Sequence, residues 1–219
     1  MTKLLRFVFS ILLAACATSA AGQGAGPRAG KWEFILQPTY TDSKSFSGSN
    51  GSRAEIQGGW AFGLGIGYNF SNHLALGGEL NWAQADYART TAPGVGNPGT
   101  SFLRTGTIET STLRVNGTWN LLDSNFTPFA TGGIGATWVD TNVPDGPSQC
   151  WVDPWWGTYC GTPTKSDTFF SYNVGAGLRW DVNRGFFLRG VYTRQWIDVG
   201  GAAGSPAFDQ FRIEFGFKH

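Results

Sequence analysis

Residues 60–70 read Trp60-Ala61-Phe62-Gly63-Leu64-Gly65-Ile66-Gly67-Tyr68-Asn69-Phe70. Every second side chain is bulky and apolar, and those between are Gly, Ala or Asn. Successive side chains of a strand point to opposite faces, so this is an extended segment with one apolar face and one nearly bare face. Two other stretches repeat the pattern. Phe170, Tyr172, Val174, Ala176, Leu178, Trp180 and Val182 alternate with Ser171, Asn173, Gly175, Gly177, Arg179 and Asp181. Phe211, Ile213, Phe215 and Phe217 alternate with Arg212, Glu214, Gly216 and Lys218.

The placement of bulk selects the solvent. A closed barrel of about eight strands has room inside for roughly one layer of filling side chains. Several aromatic and branched groups from every strand would overfill it, and a face of Gly and Ala is an odd one to offer water. Turned outward, the large groups meet hydrocarbon, while small, polar and charged groups share a narrow lumen. The lengths agree: ten residues at ~3.3 Å each, tilted near 40°, rise about 25 Å, the height of a lipid-facing band. Aromatic residues stand at both ends of that span, where interfacial girdles sit.

Candidate strands are 31–41, 59–71, 73–87, 106–121, 128–139, 169–182, 186–197 and 208–218. Three links are short (Ser71 to His73, Leu122 to Thr127, Asn183 to Gly185) and four are long (42–58, 88–105, 140–168, 198–207). Their strict alternation predicts an all-β chain: an eight-stranded antiparallel up-and-down transmembrane β-barrel with both termini on the short-turn, periplasmic side. The strands at 106–121 and 128–139 carry the weakest alternation. In the former, Leu113, Val115 and Trp119 are read outward; in the latter, Ile134, Ala136 and Trp138. In 186–197, Arg194 has outward parity, either snorkelling near the outer rim or marking a shift of register.

These parities turn Glu33, Glu79, Arg114, Arg179, Asp181, Arg189, Arg212, Glu214 and Lys218 into the lumen. Unpaired buried charge is costly, and four acids against five bases is close to balance, so a paired network is expected. Such a network reads either as a polar plug or as a narrow ion path, and an interior this small favours the plug.

Composition sets the compartment. Of 219 residues, 14% are charged and 15% aromatic, with 32 Gly, 10 Trp and a formal charge of +1, which gives no reason to expect a nucleic-acid partner. Lys3 and Arg6, the apolar run from Phe7 to Ala15 and the small residues Ser19, Ala20 and Ala21 make residues 1–21 an export signal. Residues 22–30 then form a loose leader, and 31–219 the barrel domain. Leu13-Ala14-Ala15-Cys16 also reads as a lipidation motif with Cys16 as the acceptor. Ordinary cleavage near Ala21 is preferred, because a barrel anchors itself.

The longest loop holds Cys150-Trp151-Val152-Asp153-Pro154-Trp155-Trp156-Gly157-Thr158-Tyr159-Cys160. Two cysteines in an exported chain are expected to pair as a disulfide. Trp151, Trp155, Trp156 and Tyr159 on that ring form either a cap over the mouth or a contact patch for a host or other extracellular ligand. Neither a metal site nor a cofactor site is expected, since no His lies near the cysteines. Catalysis is not expected either: the chain's two histidines, His73 and His219, sit at the turn end and form no evident triad.

Four segments carry a resemblance: Gly63 to Phe70, Pro128 to Gly135, Tyr172 to Trp180, and the aromatic close Phe211 to Phe217. They are similar to the eight-stranded outer-membrane barrels of Gram-negative bacteria, the OmpA/OmpX/OmpW-like porin-family and surface-antigen proteins. The resemblance covers about residues 30 to 219. It implies outer-membrane lipid and lipopolysaccharide as surroundings and insertion by the outer-membrane assembly machinery. It is specific for architecture and weak for activity. The expected role is structural, with loops offered outside; the OmpW-like members suggest instead a narrow path for small hydrophobic solutes. Two departures stand out. The chain ends Phe217-Lys218-His219, with His219 at the parity of the family's usual terminal aromatic. No peptidoglycan-binding domain follows, so no cell-wall tether of that kind is expected.

Overall fold

The computed structural model describes residues 28–47, 53–91, 102–144, 146–147, 149–153, 157–161, 164–200 and 205–219. The expected export signal, Cys16, Trp155 and Trp156 lie outside them. Twelve strands follow in order: β1 (Trp32–Thr41), β2 (Lys44–Ser47), β3 (Arg53–Ile56), β4 (Gly59–Asn69), β5 (Leu74–Thr91), β6 (Phe102–Asn120), β7 (Phe126–Pro144), β8 (Gln149–Asp153), β9 (Gly157–Gly161), β10 (Thr164–Asp181), β11 (Phe186–Asp198) and β12 (Ala207–Lys218).

Eight of these close a barrel in the circular order β1, β4, β5, β6, β7, β10, β11, β12, every pair antiparallel. The last strand meets the first: Glu33 pairs with Lys218, and the backbones of Trp32 and His219 exchange two hydrogen bonds of 3.0 Å. Closure satisfies the strand edges that lipid would leave unpaired. Three short turns join the strands at one end. Asn183 Oδ1 accepts from the amides of Gly185 and Phe186, both at 2.8 Å, an Asx turn that reverses the chain.

Across the belt the outward face is predominantly apolar. Trp60 is 69% exposed and Leu64 43%, while Asn69 beside them is fully buried. Among the described residues, the buried apolar set is Ala75, Phe129, Phe187 and Val191; the rest of the buried set is polar or charged, apart from glycine. This inverts a water-soluble protein and matches a barrel whose solvent is lipid. Parity holds in the two weakly alternating strands: Leu113, Ile134 and Trp138 are exposed, and Arg114 and Thr137 are buried. Arg194 points outward in regular register between Val174 and Asp209, so no register shift explains it.

The strands run longer at the loop end than alternation implies. The pairing of β5 with β6 continues through Ala88–Thr105 and Arg89–Arg104 to Thr91–Phe102. Beyond the apolar band no face needs bulk, so the signal fades while the ladder continues. In the loop expected at 42–58, β2 and β3 form a hairpin, and β3 takes up pairing with β5 beyond β4. In the loop expected at 140–168, β8 and β9 pair with each other in a separate two-stranded sheet.

Candidate functional site in the lumen

Inward positions on six of the eight barrel strands deliver charge to one narrow space. β1 brings Glu33, β5 Glu79, β6 Arg114, β10 Arg179 and Asp181, β11 Arg189, and β12 Arg212, Glu214 and Lys218; all are buried. Arg179 donates through Nη2 to Glu33 Oε1 at 2.7 Å and to Asp181 Oδ1 at 2.9 Å. Arg189 pairs with the other oxygen of Glu33 and lies 3.6 Å from Glu214. Arg212 reaches Glu214 at 3.5 Å and Glu79 at 2.8 Å. Glu79 in turn meets Arg114 at 2.6 Å, and Arg114 donates to Gln195 Oε1 at 3.1 Å. Lys218 Nζ closes the near end on Asp181 at 2.7 Å. All nine lumen candidates thus join one connected chain of ion pairs, made within strands, between neighbouring strands as in Glu79–Arg114, and between strands that are not neighbours as in Glu79–Arg212. Pairing of this density is what a low-dielectric interior demands of buried charge.

A tenth member comes from the segment expected to be a leader. Arg28, assigned by sequence to a loose segment, is 4% exposed. Its Nε donates to Asp181 Oδ2 at 2.7 Å, and its Nη1 and Nη2 donate to the carbonyls of Asn72, Leu122 and Ser124. Its own backbone N–H donates to Asn72 Oδ1 at 2.9 Å. One side chain therefore ties two short turns to the end of β10. Gly30, at φ +77°, makes the bend that follows, a conformation open to glycine. With Arg28 counted, six cations face four carboxylates.

Two aromatic rings also lie inside. The Arg179 guanidinium stands 4.0 Å from the centroid of Phe187, and Arg189 stands 4.6 Å from Phe187 and 5.6 Å from Phe129, within cation–π range. Glycines make room for them. A methyl group built on Gly216 would collide with the Phe187 ring, and one on Gly177 would press on Phe129. The free space among Glu33, Glu79, Arg189 and Arg212 is a cavity of about 40 Å³, room for a few waters at roughly 10–15 Å³ each.

The other candidate residues lie elsewhere. Cys150 and Cys160 face each other across β8 and β9 and are bonded as a disulfide. Trp151 is in register with Tyr159 on the adjacent rung. His73 lies in the first turn, its Nε2 3.3 Å from Asp123 and its Nδ1 2.7 Å from the Asn120 carbonyl. Ser71 Oγ beside it accepts from the amides of His73 and Leu74, so this group fastens a turn. At the rim, Arg194 lies 3.8 Å from Asp209 and 5.8 Å from the Trp196 ring.

An inverted barrel with a charged interior defines a recognised group. The outer membrane protein beta-barrel domain matches residues 7–218. The chain belongs to this family. As an outer membrane β-barrel, it has its apolar belt in the lipid of the Gram-negative outer membrane. No curated protein matches the sequence. Solved structures share the architecture at low identity. Ail, the attachment invasion locus protein of Yersinia pestis, in complex with the heparin analogue sucrose octasulfate, is 13% identical with a TM-score of 0.47, over 87% of this chain and 99% of that one. Neisserial surface protein A is 14% identical with a TM-score of 0.48, over 84% and 95%. OprG of Pseudomonas aeruginosa is 14% identical with a TM-score of 0.47, over 87% and 96%.

Proposed function

We propose that this outer membrane β-barrel is a non-enzymatic structural element of the envelope, closed to ions and carrying its long-loop end as a platform outside. The short turns and both termini lie in the periplasm on this reading. The observation that carries it is the continuous ion-pair chain from Arg28 to Arg114, with Phe129 and Phe187 packed into the same half of the lumen. A solute crossing there has to part several buried pairs at once, each costly to break because the partner is left as an uncompensated buried charge. The disulfide-closed hairpin, with Trp151 opposite Tyr159, is the part of the platform best suited to contact an extracellular ligand, since aromatic residues supply rigid contact area. Lipopolysaccharide and the assembly machinery complete the proposed surroundings.

The test is conductance of the purified monomer in planar bilayers. The closed-barrel reading expects no steady openings in wild-type protein. Sustained openings on the nanosiemens scale, reproducible across single insertions, overturn it in favour of a narrow channel.

A further inference from the structure

Above the ion-pair network, toward the long loops, the lumen widens into a second cavity of about 110 Å³. Its walls and floor differ in chemistry. The upper wall carries Ile56, Ile108, Ile197 and Phe208, with Ala61 and Ala83 leaving space between them. On the β2–β3 hairpin, the Phe46 ring lies 6.4 Å from that of Phe208. The floor carries Asn81, Gln195 and Arg114. Arg114 is 2% exposed; Glu79 and Gln195 engage its terminal nitrogens, while its Nε has no protein hydrogen-bond partner. Asn81 accepts from Gln37 through Oδ1, and its Nδ2 donor is also without a partner. Buried donors without acceptors are uncommon in native interiors. An apolar chamber with a few convergent polar groups has the ordinary form of a small-molecule site.

We propose that this vestibule binds a small amphipathic monocarboxylate, head down, with its carboxylate at Arg114 and Asn81 and its apolar body among the isoleucines and Phe208. The charge distribution selects an anion: six cations face four carboxylates in the lumen, and Glu79, the carboxylate under the floor, is shared between Arg114 and Arg212. It also selects the orientation. Asp42 lines the same cavity at the end of β1, toward the loops, and repels an anionic head placed at the mouth. Size selects the class. At roughly 10–15 Å³ of such space per water, the chamber takes the bulk of about eight waters, a molecule such as benzoate rather than a long-chain lipid. The site ends at the network, so binding does not require a conducting pore and stands apart from the closed-barrel reading.

Benzoate itself is the probe, titrated calorimetrically into the full barrel in nanodiscs of zwitterionic lipid, with empty nanodiscs subtracted. Saturable binding is expected, with benzamide weaker by about tenfold or more, because the amide lacks the charge that strengthens the hydrogen bonds to Arg114. The amide resonances of Ala61 and Ala83 are expected to shift on titration. Ala83→Phe, which fills the chamber without touching an ion pair, is expected to abolish binding while the barrel stays folded by its heat-dependent gel mobility. Arg114→Gln is expected to bring benzoate down to the level of benzamide. Absence of benzoate binding overturns the site. So does equal affinity for benzoate and benzamide, or binding that survives Ala83→Phe.

Discussion

The two faces of β10 obey different rules. Outward, Tyr172, Val174, Ala176, Leu178 and Trp180 meet a solvent that asks for little beyond apolarity and, at the ends, an aromatic ring. Inward, particular neighbours decide: Ser171 accepts from Thr137 at 3.1 Å, Gly177 leaves room for Phe129, and Arg179 holds two carboxylates. The outer face is specified by composition and depth. The inner face is specified residue by residue, through the partners each side chain meets in the lumen. Substitutions that separate the two rules make the contrast measurable.

The largest expected effect is Arg179→Ala. It leaves Glu33 and Asp181 short of a buried partner at the centre of the network, and removing one member of a buried pair costs about 3–5 kcal/mol. Arg189, Lys218 and Arg28 still reach those carboxylates, which holds the loss to the lower part of that range. Urea unfolding in lipid vesicles measures it. A loss below about 1 kcal/mol, the scale of exposed salt bridges, would mean that the network is solvated rather than structural.

Next comes the outer face. Leu64→Arg places a charge in the middle of the apolar belt and is expected to cost ~2–4 kcal/mol by the same measurement, with slower insertion. Gly65→Ser, one residue along and pointing inward, is expected to be tolerated, because the nearest atoms to a new Cβ there lie at ordinary contact distance, 3.4 Å and beyond. Equal tolerance at the two positions would contradict the assigned faces.

A third test stays on the inner face and asks whether its glycines are individually specified. Gly216→Ala drives a methyl into the Phe187 ring, and overpacking of this kind costs about 1–3 kcal/mol. Gly65→Ala meets no such obstacle and is expected to be neutral or slightly stabilising, because Ala loses less backbone freedom on folding than Gly. The double variant Gly216→Ala with Phe187→Leu is expected to recover part of the loss. Without that recovery, the ring is not the reason for the glycine.

The same contrast explains what the sequence disclosed. Alternation is a signal made by lipid, so it marked the strands where lipid touches them: residues 60–70, 170–182 and 211–217. Parity then carried the nine charges into the lumen without any structure. It fell silent where lipid stops. The rungs Arg89–Arg104 and Thr91–Phe102 and the β2–β3 hairpin lie past the apolar band, so no lipid-made signal marks them in the sequence. Arg28 was illegible for another reason. It sits in a run of Gly, Ala and Pro, and its partners Asn72, Leu122, Ser124 and Asp181 are distant in sequence and gathered by barrel closure. Phe187 was within reach of the parity argument: it stands between outward Phe186 and Leu188 and had to point inward. The vestibule was not, since Ile56, Ile108 and Phe208 form a chamber only after closure.

The smallest effect is expected where neither rule operates. The disulfide hairpin of β8 and β9 pairs with itself, in a sheet separate from the barrel. A disulfide acts chiefly by restricting the unfolded chain it encloses, and here that chain is a short stretch of loop. Its restriction bears on the local equilibrium of the hairpin rather than on the global unfolding of the barrel. Replacing both cysteines, Cys150→Ser with Cys160→Ser, is therefore expected to leave barrel unfolding within about 0.5 kcal/mol of wild type, the usual range for surface changes. Protease cleavage between residues 149 and 161 is expected to accelerate in the same variant. A fall in barrel stability of several times that amount would mean that the hairpin docks on the barrel and that the inner-face rule extends into the loops. Unchanged cleavage with unchanged stability would mean that the strand ladder holds the hairpin without its disulfide, leaving the sulfur bridge to protect a contact surface rather than to build one.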